Sequence, residues 1–501
     1  MKEYLQVIKQ SRKIQLILFF GLLVQIIFSL VSVGFYHPDQ HFQIIEFSSY
    51  QLKAPTGATS VWELASKLRP TLQVYLFSGF RIVCESISIN NPFHQLTVLR
   101  VLQGLLLFFT FNWIAFLYCN KKTIHTLIIT LLVINFSWFL PYSRTLFSSE
   151  LLSALFFFPA IIVFHQQYLT NKTSFYNSIF IGFLLALSFF LRFQIAFSIA
   201  GFAVWIFFIE KQFKLSLYLL LGFALGIGLN VFLDYNFYHS LVFTPYLYFK
   251  INILQGVASS FGESGISFYF GVLIDIVAVP FISIYFIYFF LKSSLQNLKN
   301  PLVISTFFFF IGHFFIGHKE DRFMFTIINI IPIIIAIGKD RFDFLLPTYK
   351  WRKFVKPLAI FSIILNFLLL TLFVFIPYSQ TINFDNKIRN YIQSPETRIY
   401  CYARNPLQTE SFLPLVYYKA GMKNIELINT KNIDSISKLN SKPVWLSSTF
   451  NDIKDKLGLI DSLGYKPQLY SSSALWSINV FLMNKKMNTI NDIWALYKLE
   501  K

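Results

Sequence analysis

The sequence predicts an α-helical polytopic membrane protein of about eleven transmembrane helices, followed by a small C-terminal α/β domain outside the cytoplasm. Three observations carry that reading. Of 501 residues, 55% are hydrophobic and only 13% charged, with 62 phenylalanines, whereas a soluble domain carries about 25% charged residues. Apolar runs of roughly 20 residues, the length that crosses a bilayer as a helix, recur as far as residue 377. The last 124 residues differ in kind, mixing 16 Lys/Arg and 10 Asp/Glu with short β-rich and helix-like runs. An ordinary soluble enzyme is excluded. The excess of 43 Lys/Arg over 24 Asp/Glu would suggest nucleic acid in a soluble chain. In a membrane protein it reflects where the bases sit, and no nucleic-acid partner is expected. Cys84, Cys119 and Cys401 have neither the even count nor the close spacing of a disulfide framework or a zinc site, and no structural metal is expected.

The elements follow in order. Lys2, Lys9, Arg12 and Lys13 precede the apolar run 14–34, which is too long for a signal-peptide core and lacks a small-residue cleavage site. It reads as an uncleaved first span that starts in the cytoplasm. Further runs lie near 95–118, 123–140, 150–166, 176–191, 193–209, 215–234, 268–291, 301–317, 323–338 and 357–377. Counted alternately, the inner connections hold 17 Lys/Arg, among them Lys339, Arg341, Lys350, Arg352, Lys353 and Lys356 before the last span. The outer connections are longer and hold about nine, as the positive-inside rule requires. Within 176–209 the two runs are short, but removing them as a pair leaves every later side unchanged. An odd number of spans places 378–501 outside. There, strand-like runs at 397–402, 424–428 and 443–447 alternate with helix-like runs at 411–419 and 451–463, an α/β pattern. The domains expected are a membrane catalytic domain over 1–377, with its first outer loop at 35–93, and an extracytoplasmic α/β domain over 378–501.

Residues 1–377 contain only 14 Asp/Glu, and charges near apolar spans are costly and usually paired or functional. Ten of these acids fall in outer loops or near outer span ends: Asp39, Glu46, Glu63, Glu85, Glu150, Asp234, Glu263, Asp275, Glu320 and Asp321. A merely solvated outer face has no need of the aromatic and basic residues set beside them.

The first outer loop opens Tyr36-His37-Pro38-Asp39. Pro38 suits the first position of a helix, and the helix dipole favours an ionised Asp39 in the first turn. At α-helical spacing Asp39, Gln43 and Glu46 share one face, which suggests an amphipathic helix lying on the membrane surface. Trp62-Glu63 and Arg69-Pro70 follow. The second outer connection runs from Pro141 to Glu150 and includes Arg144, with Ser148 or Ser149 placed to cap the next helix. Arg192 stands between two apolar runs. Asp234 to Tyr238 precedes an aromatic-rich stretch from Phe243 to Asn252. His318-Lys319-Glu320-Asp321-Arg322 packs five ionisable residues between two spans.

These segments resemble, in order, those of a known family: the multi-spanning, lipid-phosphate-sugar-dependent mannosyltransferases of the GT-C class, glycosyltransferase family 22, that build GPI anchors and N-glycan precursors. The likeness rests on His37, Pro38, Asp39, Phe42, Gln43 and Glu46; on Trp62, Glu63 and Arg69; on Ser143 to Leu146 with Glu150; on Asp234, Tyr238 and Thr244 to Asn252; and on His318 to Phe323. Gln40 departs from the family's Glu, Asp321 from its aromatic, and Phe193-Gln194 from its Pro-Thr. The resemblance implies an inverting glycosyltransferase that moves a sugar, mannose in the family, from a polyprenyl- or dolichyl-phosphate donor to a glycan or glycolipid acceptor at the outer membrane face. It makes Asp39 the general base, a group needed as the acceptor hydroxyl attacks. Arg144, Arg192, His318, Lys319 and Arg322 are the candidates for the donor phosphate, since cations stabilise the charge that grows on it. His37, Gln43, Glu46, Glu63, Arg69, Glu150, Asp234 and Tyr238 are the candidates for sugar and acceptor hydroxyls. With fixed cations at a lipid monophosphate, no metal or cofactor is expected. The competing class, a transporter or flippase of a lipid-linked saccharide, predicts mid-bilayer charges and two similar halves, and the sequence shows neither. Richness in Phe, Ile, Asn and Lys points to an AT-rich genome, and so to a bacterial plasma membrane rather than the endoplasmic reticulum.

Overall fold

The computed structural model describes residues 11–119, 123–276, 280–338, 352–391, 397–408, 413–420, 425–430, 444–472 and 493–500. The basic tail up to residue 10 and the basic run 339–351 lie outside these.

Among the described residues, five helices are long and apolar enough to cross a membrane: Arg12–Val31, Pro92–Cys119, Ser149–Leu169, Phe213–Tyr238 and Lys356–Phe375. The other predicted runs are helical in the main but shorter or broken. Ile124–Phe136, Phe175–Leu191 and Pro301–Phe314 are single helices. Run 268–291 holds Phe268–Ile276 and Pro280–Gln296, and run 323–338 holds the 3-10 turns Asp321–Thr326 and the helix Ile331–Gly338. The molecule is a multi-pass membrane protein. Leu217, Leu221, Leu225 and Phe232 are exposed along one side of Phe213–Tyr238, which suits hydrocarbon rather than water.

Contacts divide the chain into two compact units. The first comprises Met1–Val31, Ser66–Leu76 and Val98–Ile376; the second comprises Ser32–Ala65, Phe77–Thr97 and Pro377–Lys501. In the first, Phe175–Leu191 and Phe213–Tyr238 press backbone to backbone. A Cβ at Gly182 would stand 2.0 Å from the Leu219 carbonyl oxygen, and one at Gly222 would stand 1.9 Å from that of Ile179. Small residues permit such approach where burial of apolar surface cannot drive helices together.

The second unit contains a five-stranded sheet: β1 Thr397–Tyr402, β2 Ile425–Thr430, β3 Val444–Thr449, β4 Lys466–Ser472 and β5 Trp494–Glu500. Its order is β2-β1-β3-β5-β4, with β1 parallel to both β2 and β3, and β5 antiparallel to both β3 and β4. Side chains alternate across a strand, so β5 serves two cores. Trp494 and Leu496 pack with Phe384 and Ile388 of helix Gln380–Tyr391. Ala495, Tyr497 and Leu499 pack with Leu446, Ile453 and Ile460. The strands predicted at 397–402, 424–428 and 443–447 are β1, β2 and β3, while β4 and β5 were not predicted. The predicted helix 411–419 is helical at Val416–Lys419, and 451–463 breaks into Phe450–Ile453, Lys454–Lys456 and Leu457–Ser462.

Candidate active site

In the first unit the scarce acids and bases of three segments meet. Ser148, extended at φ −145°, caps helix Ser149–Leu169 by accepting the Leu151 N–H, and places Glu150 in the first turn. Helix Phe175–Leu191 ends where Arg192 turns extended, at φ −151° and ψ 111°, before the 3-10 turn Phe193–Ile195. That break directs Arg192 inward, where its Nη2 lies 3.2 Å from Glu150 Oε1. Arg322, on the 3-10 turns Asp321–Thr326, approaches the same oxygen at 3.9 Å and also pairs with Glu320. All three groups are buried, Glu150 to 1% exposure. The Phe323 ring is a platform for both guanidiniums, with Arg192 Cζ 4.8 Å and Arg322 Cζ 5.6 Å from its centroid.

His318 places Nδ1 2.9 Å from the Gly262 carbonyl and Nε2 2.9 Å from Glu320. Both partners are acceptors, and they hold the imidazole from either side. Lys319 is buried and donates to the Ile316 carbonyl. The cluster thus sets three bases, Arg192, Lys319 and Arg322, beside three carboxylates, Glu150, Glu320 and Asp321, whose Oδ1 accepts the Arg322 N–H at 2.7 Å. Buried charges persist only when paired, and here two guanidiniums share the one buried carboxylate of Glu150.

Other predicted residues of this unit are committed to protein groups. Arg144 is fully buried; its Nε donates to Asn329 at 2.8 Å, Nη1 faces Gln25 and Nη2 donates to the Ile134 carbonyl. It braces helices. Asp234 accepts from the Thr71 N–H and hydroxyl at 2.9 and 2.7 Å and from the Thr244 hydroxyl at 2.8 Å, fastening 71 to 244. Tyr238 donates to the Arg69 carbonyl, and the Arg69 guanidinium lies over the Tyr248 ring at 5.5 Å. Phe193 and Gln194 have work here too: Phe193 packs on Tyr248, and Gln194 donates to its hydroxyl.

In the second unit, His37 caps the turn Pro38–Gln40, its Nδ1 accepting the Asp39 N–H at 3.2 Å. Gln40 Oε1 closes a capping box by accepting the Tyr36 and His37 N–H groups. A Gln serves that role as well as a Glu. Asp39 keeps 29% exposure, with Oδ1 3.7 Å from His37 Nδ1.

The single polar face predicted for Asp39, Gln43 and Glu46 does not form. His41–Glu46 is π-helical, and its wider turns break the i, i+4, i+7 register. Every residue from His41 to Ser49 is buried, so no amphipathic surface helix lies here. Gln43 donates to Glu63 Oε2 at 2.9 Å. Glu46 is wholly internal. Oε1 meets His41 Nε2 and accepts the Tyr417 N–H, each at 2.9 Å, while Oε2 accepts the Gly57 N–H at 2.8 Å and the Thr56 hydroxyl at 3.1 Å. Gly57 is required by proximity, since a Cβ there would lie 2.2 Å from the Pro414 carbonyl oxygen.

Burial alone raises the Glu46 pKa, but His41 and the Tyr417 and Gly57 N–H groups outweigh it and hold the carboxyl below its ordinary 4.5. A depressed folded-state pKa contributes stability above the unfolded value that is lost as pH falls through the folded one. Thermal stability is therefore expected to decline on acidification below about pH 4.5. Glu46→Gln turns an N–H toward buried donors at a cost of about 1–3 kcal/mol. It should melt lower and flatten that acid limb; wild-type melting of Glu46→Gln at pH 7 would dismiss the bonds as stabilising.

Among the described residues, no three His, Cys, Asp or Glu side chains are grouped to hold a metal ion. The residues that sequence reasoning missed are Phe323 as platform, Thr71 as partner of Asp234, and His41, Gly57, Tyr417 and Tyr418 around Glu46.

A helical membrane bundle carrying a buried cluster of cations and carboxylates, in a chain that also folds a small α/β sheet, has the architecture of the GT-C glycosyltransferases. The model of the Alg9-like mannosyltransferase family matches residues 16–402, and the chain belongs to that family; it is a glycosyltransferase. Among solved structures, ArnT from Cupriavidus metallidurans in the apo state superposes at TM-score 0.52 and 11% identity, covering 97% of each chain. ArnT bound to undecaprenyl phosphate gives 0.50 and 11%, again with 97% of each chain covered. The Archaeoglobus fulgidus oligosaccharyltransferase in complex with Zn and sulfate gives 0.47 and 14%, covering 87% of this chain and 68% of that one. No curated protein sequence matches.

Proposed function

We propose that the protein transfers mannose from a polyprenyl- or dolichyl-phosphate donor to a hydroxyl of a glycan or glycolipid acceptor, with inversion, at the extracytoplasmic face of a bacterial plasma membrane. The observation that carries this reading is the Glu150–Arg192–Arg322 cluster, in which two guanidiniums converge on one buried carboxylate. A glycosyl phosphodiester bears one negative charge, and more gathers on the phosphate as the sugar leaves. Guanidiniums held on Phe323 and facing one buried carboxylate are preorganised donors for that oxygen. Family membership supports the sugar, and the undecaprenyl phosphate bound to the Cupriavidus ArnT supports the donor class.

In the reaction the acceptor hydroxyl attacks the anomeric carbon from the face opposite the phosphate. The new C–O bond forms as the bond to the phosphate oxygen breaks, the hydroxyl proton passes to Asp39, and the lipid phosphate departs. A partly exposed carboxylate in the first turn of a capped helix is reachable, as a base must be. His37 and the Gln43–Glu63 pair are assigned to sugar or acceptor hydroxyls. Glu46, Asp234, Tyr238 and Arg144 are assigned to holding loops and helices in place, and Glu150 to orienting the two guanidiniums.

Reconstituted protein should transfer mannose from polyprenyl-phosphate-mannose, and single cysteines should report the face in the same preparation. Ser60→Cys should react with an impermeant maleimide from outside intact cells, and Lys172→Cys only after permeabilisation; Cys84, Cys119 and Cys401 are buried. Transfer from a nucleotide sugar alone overturns the donor, lipid-linked saccharide crossing the bilayer without transfer overturns the enzyme reading, and reversed labelling inverts the face.

A further inference from the structure

The turn that carries Asp39 is three residues long, far too short to hold a direction by itself. What orients it lies in the C-terminal segment of the same compact unit. His41 closes the turn by donating its N–H to the Pro38 carbonyl, and its ring lies between two others. Phe35 stacks on it at 5.2 Å and 27°, and Tyr418 at 5.2 Å and 11°. Tyr418 is itself locked. It is 1% exposed, packs on Phe93 at 5.1 Å, and its carbonyl accepts Arg389 Nη2 at 2.6 Å. Its neighbour Tyr417 gives its N–H to Glu46, donates its hydroxyl to Gln95 at 2.6 Å and lies beneath the Arg81 guanidinium at 5.6 Å.

We propose that the C-terminal segment completes the catalytic loop, with Tyr418 a positioning residue for Asp39 through its stack on His41. The inference rests on the reading of Asp39 as the base. The segment 378–501, which offers no candidate chemistry in the sequence, thereby enters the reaction by geometry. A planar ring in face-to-face register with His41 resists tilting of the 38–41 turn in a way that a flexible aliphatic chain cannot. Misplacing a reacting group by about 1 Å costs on the order of 100-fold in rate.

The full-length enzyme tests this. Tyr418→Phe keeps the stack and should hold kcat within about twofold, whereas Tyr418→Leu should lower kcat about 10- to 100-fold with the donor KM unchanged. In an Asp39→Glu background, where the carboxylate is already displaced, Tyr418→Leu should cost less than about threefold more, since coupled sites are non-additive. Wild-type kcat in Tyr418→Leu, an equal loss in Tyr418→Phe, or an equal loss in both backgrounds overturns the positioning role. Should Tyr418→Leu fail to accumulate, Tyr418→His, which keeps a planar ring, replaces it: kcat within about threefold of wild type is expected and a larger loss overturns the stack. Full activity in Asp39→Asn is a separate result, which removes the base and this inference with it.

Discussion

Asp39→Asn is expected to lower sugar transfer by about two to four orders of magnitude, the range over which a positioned general base accelerates proton transfer. The substitution is chosen for what it leaves intact. Asn matches Asp in shape, and the helix start is held by His37 Nδ1 on the Asp39 N–H and by Gln40 Oε1 on the Tyr36 and His37 N–H groups. Each of these bonds survives the exchange, so Asp39→Asn should melt close to the wild type. The donor phosphate is assigned to Arg192, Lys319 and Arg322, so donor KM should also stay constant while kcat falls, the pattern of an interaction made only in the transition state. Measurement of kcat, donor KM and melting temperature on one preparation decides it. Wild-type kcat sinks the base assignment, and a loss of kcat matched by a loss of melting temperature assigns Asp39 to the fold.

Sequence reasoning reached the spans because a bilayer imposes a length and an apolarity that are written locally. It singled out Glu150, Arg192 and Arg322 because charges are scarce beside apolar runs, and the structure brings the three side chains together. It placed the cap at Ser148 or Ser149, and Ser148 takes it. What stayed hidden depends on partners distant in the chain. Glu46 reads as a ligand-binding acid until the Tyr417 N–H, 371 positions away, is found on it, and Asp234 until Thr71, 163 positions away, is found there. Arg144 and Arg192 are chemically identical. Only full burial against Asn329, Gln25 and a main-chain carbonyl makes the first a brace. The π turns at His41–Glu46 are announced by no local spacing. β5 escaped because Trp494-Ala495-Leu496-Tyr497 suits a buried helix as well as a central strand. β4 escaped because Lys466–Ser472 is half polar and partly exposed.

The cluster permits a test that separates catalysis from architecture. Arg192→Gln alone leaves the buried Glu150 facing the Arg322 guanidinium at 3.9 Å, and breaking one side of a buried pair costs about 3–5 kcal/mol. A loss of activity in that variant therefore says little by itself. Arg192→Gln combined with Glu150→Gln removes both charges together, so that neither is left buried without its partner. The double variant is expected to recover melting close to the wild type. It is expected not to recover transfer, because the guanidinium that meets the growing charge on the phosphate is gone; the loss of one such preorganised donor costs about 10²- to 10³-fold in kcat. Glu150→Gln alone leaves the buried Arg192 without its carboxylate and should lose stability by the same argument. Should the double variant regain both stability and turnover, Arg192 serves only to neutralise Glu150, and the leaving phosphate must be met by Lys319 and Arg322. A double variant that melts normally and does not turn over places the developing charge at Arg192, and makes Glu150 the carboxylate that keeps a cation in apolar surroundings ready for it.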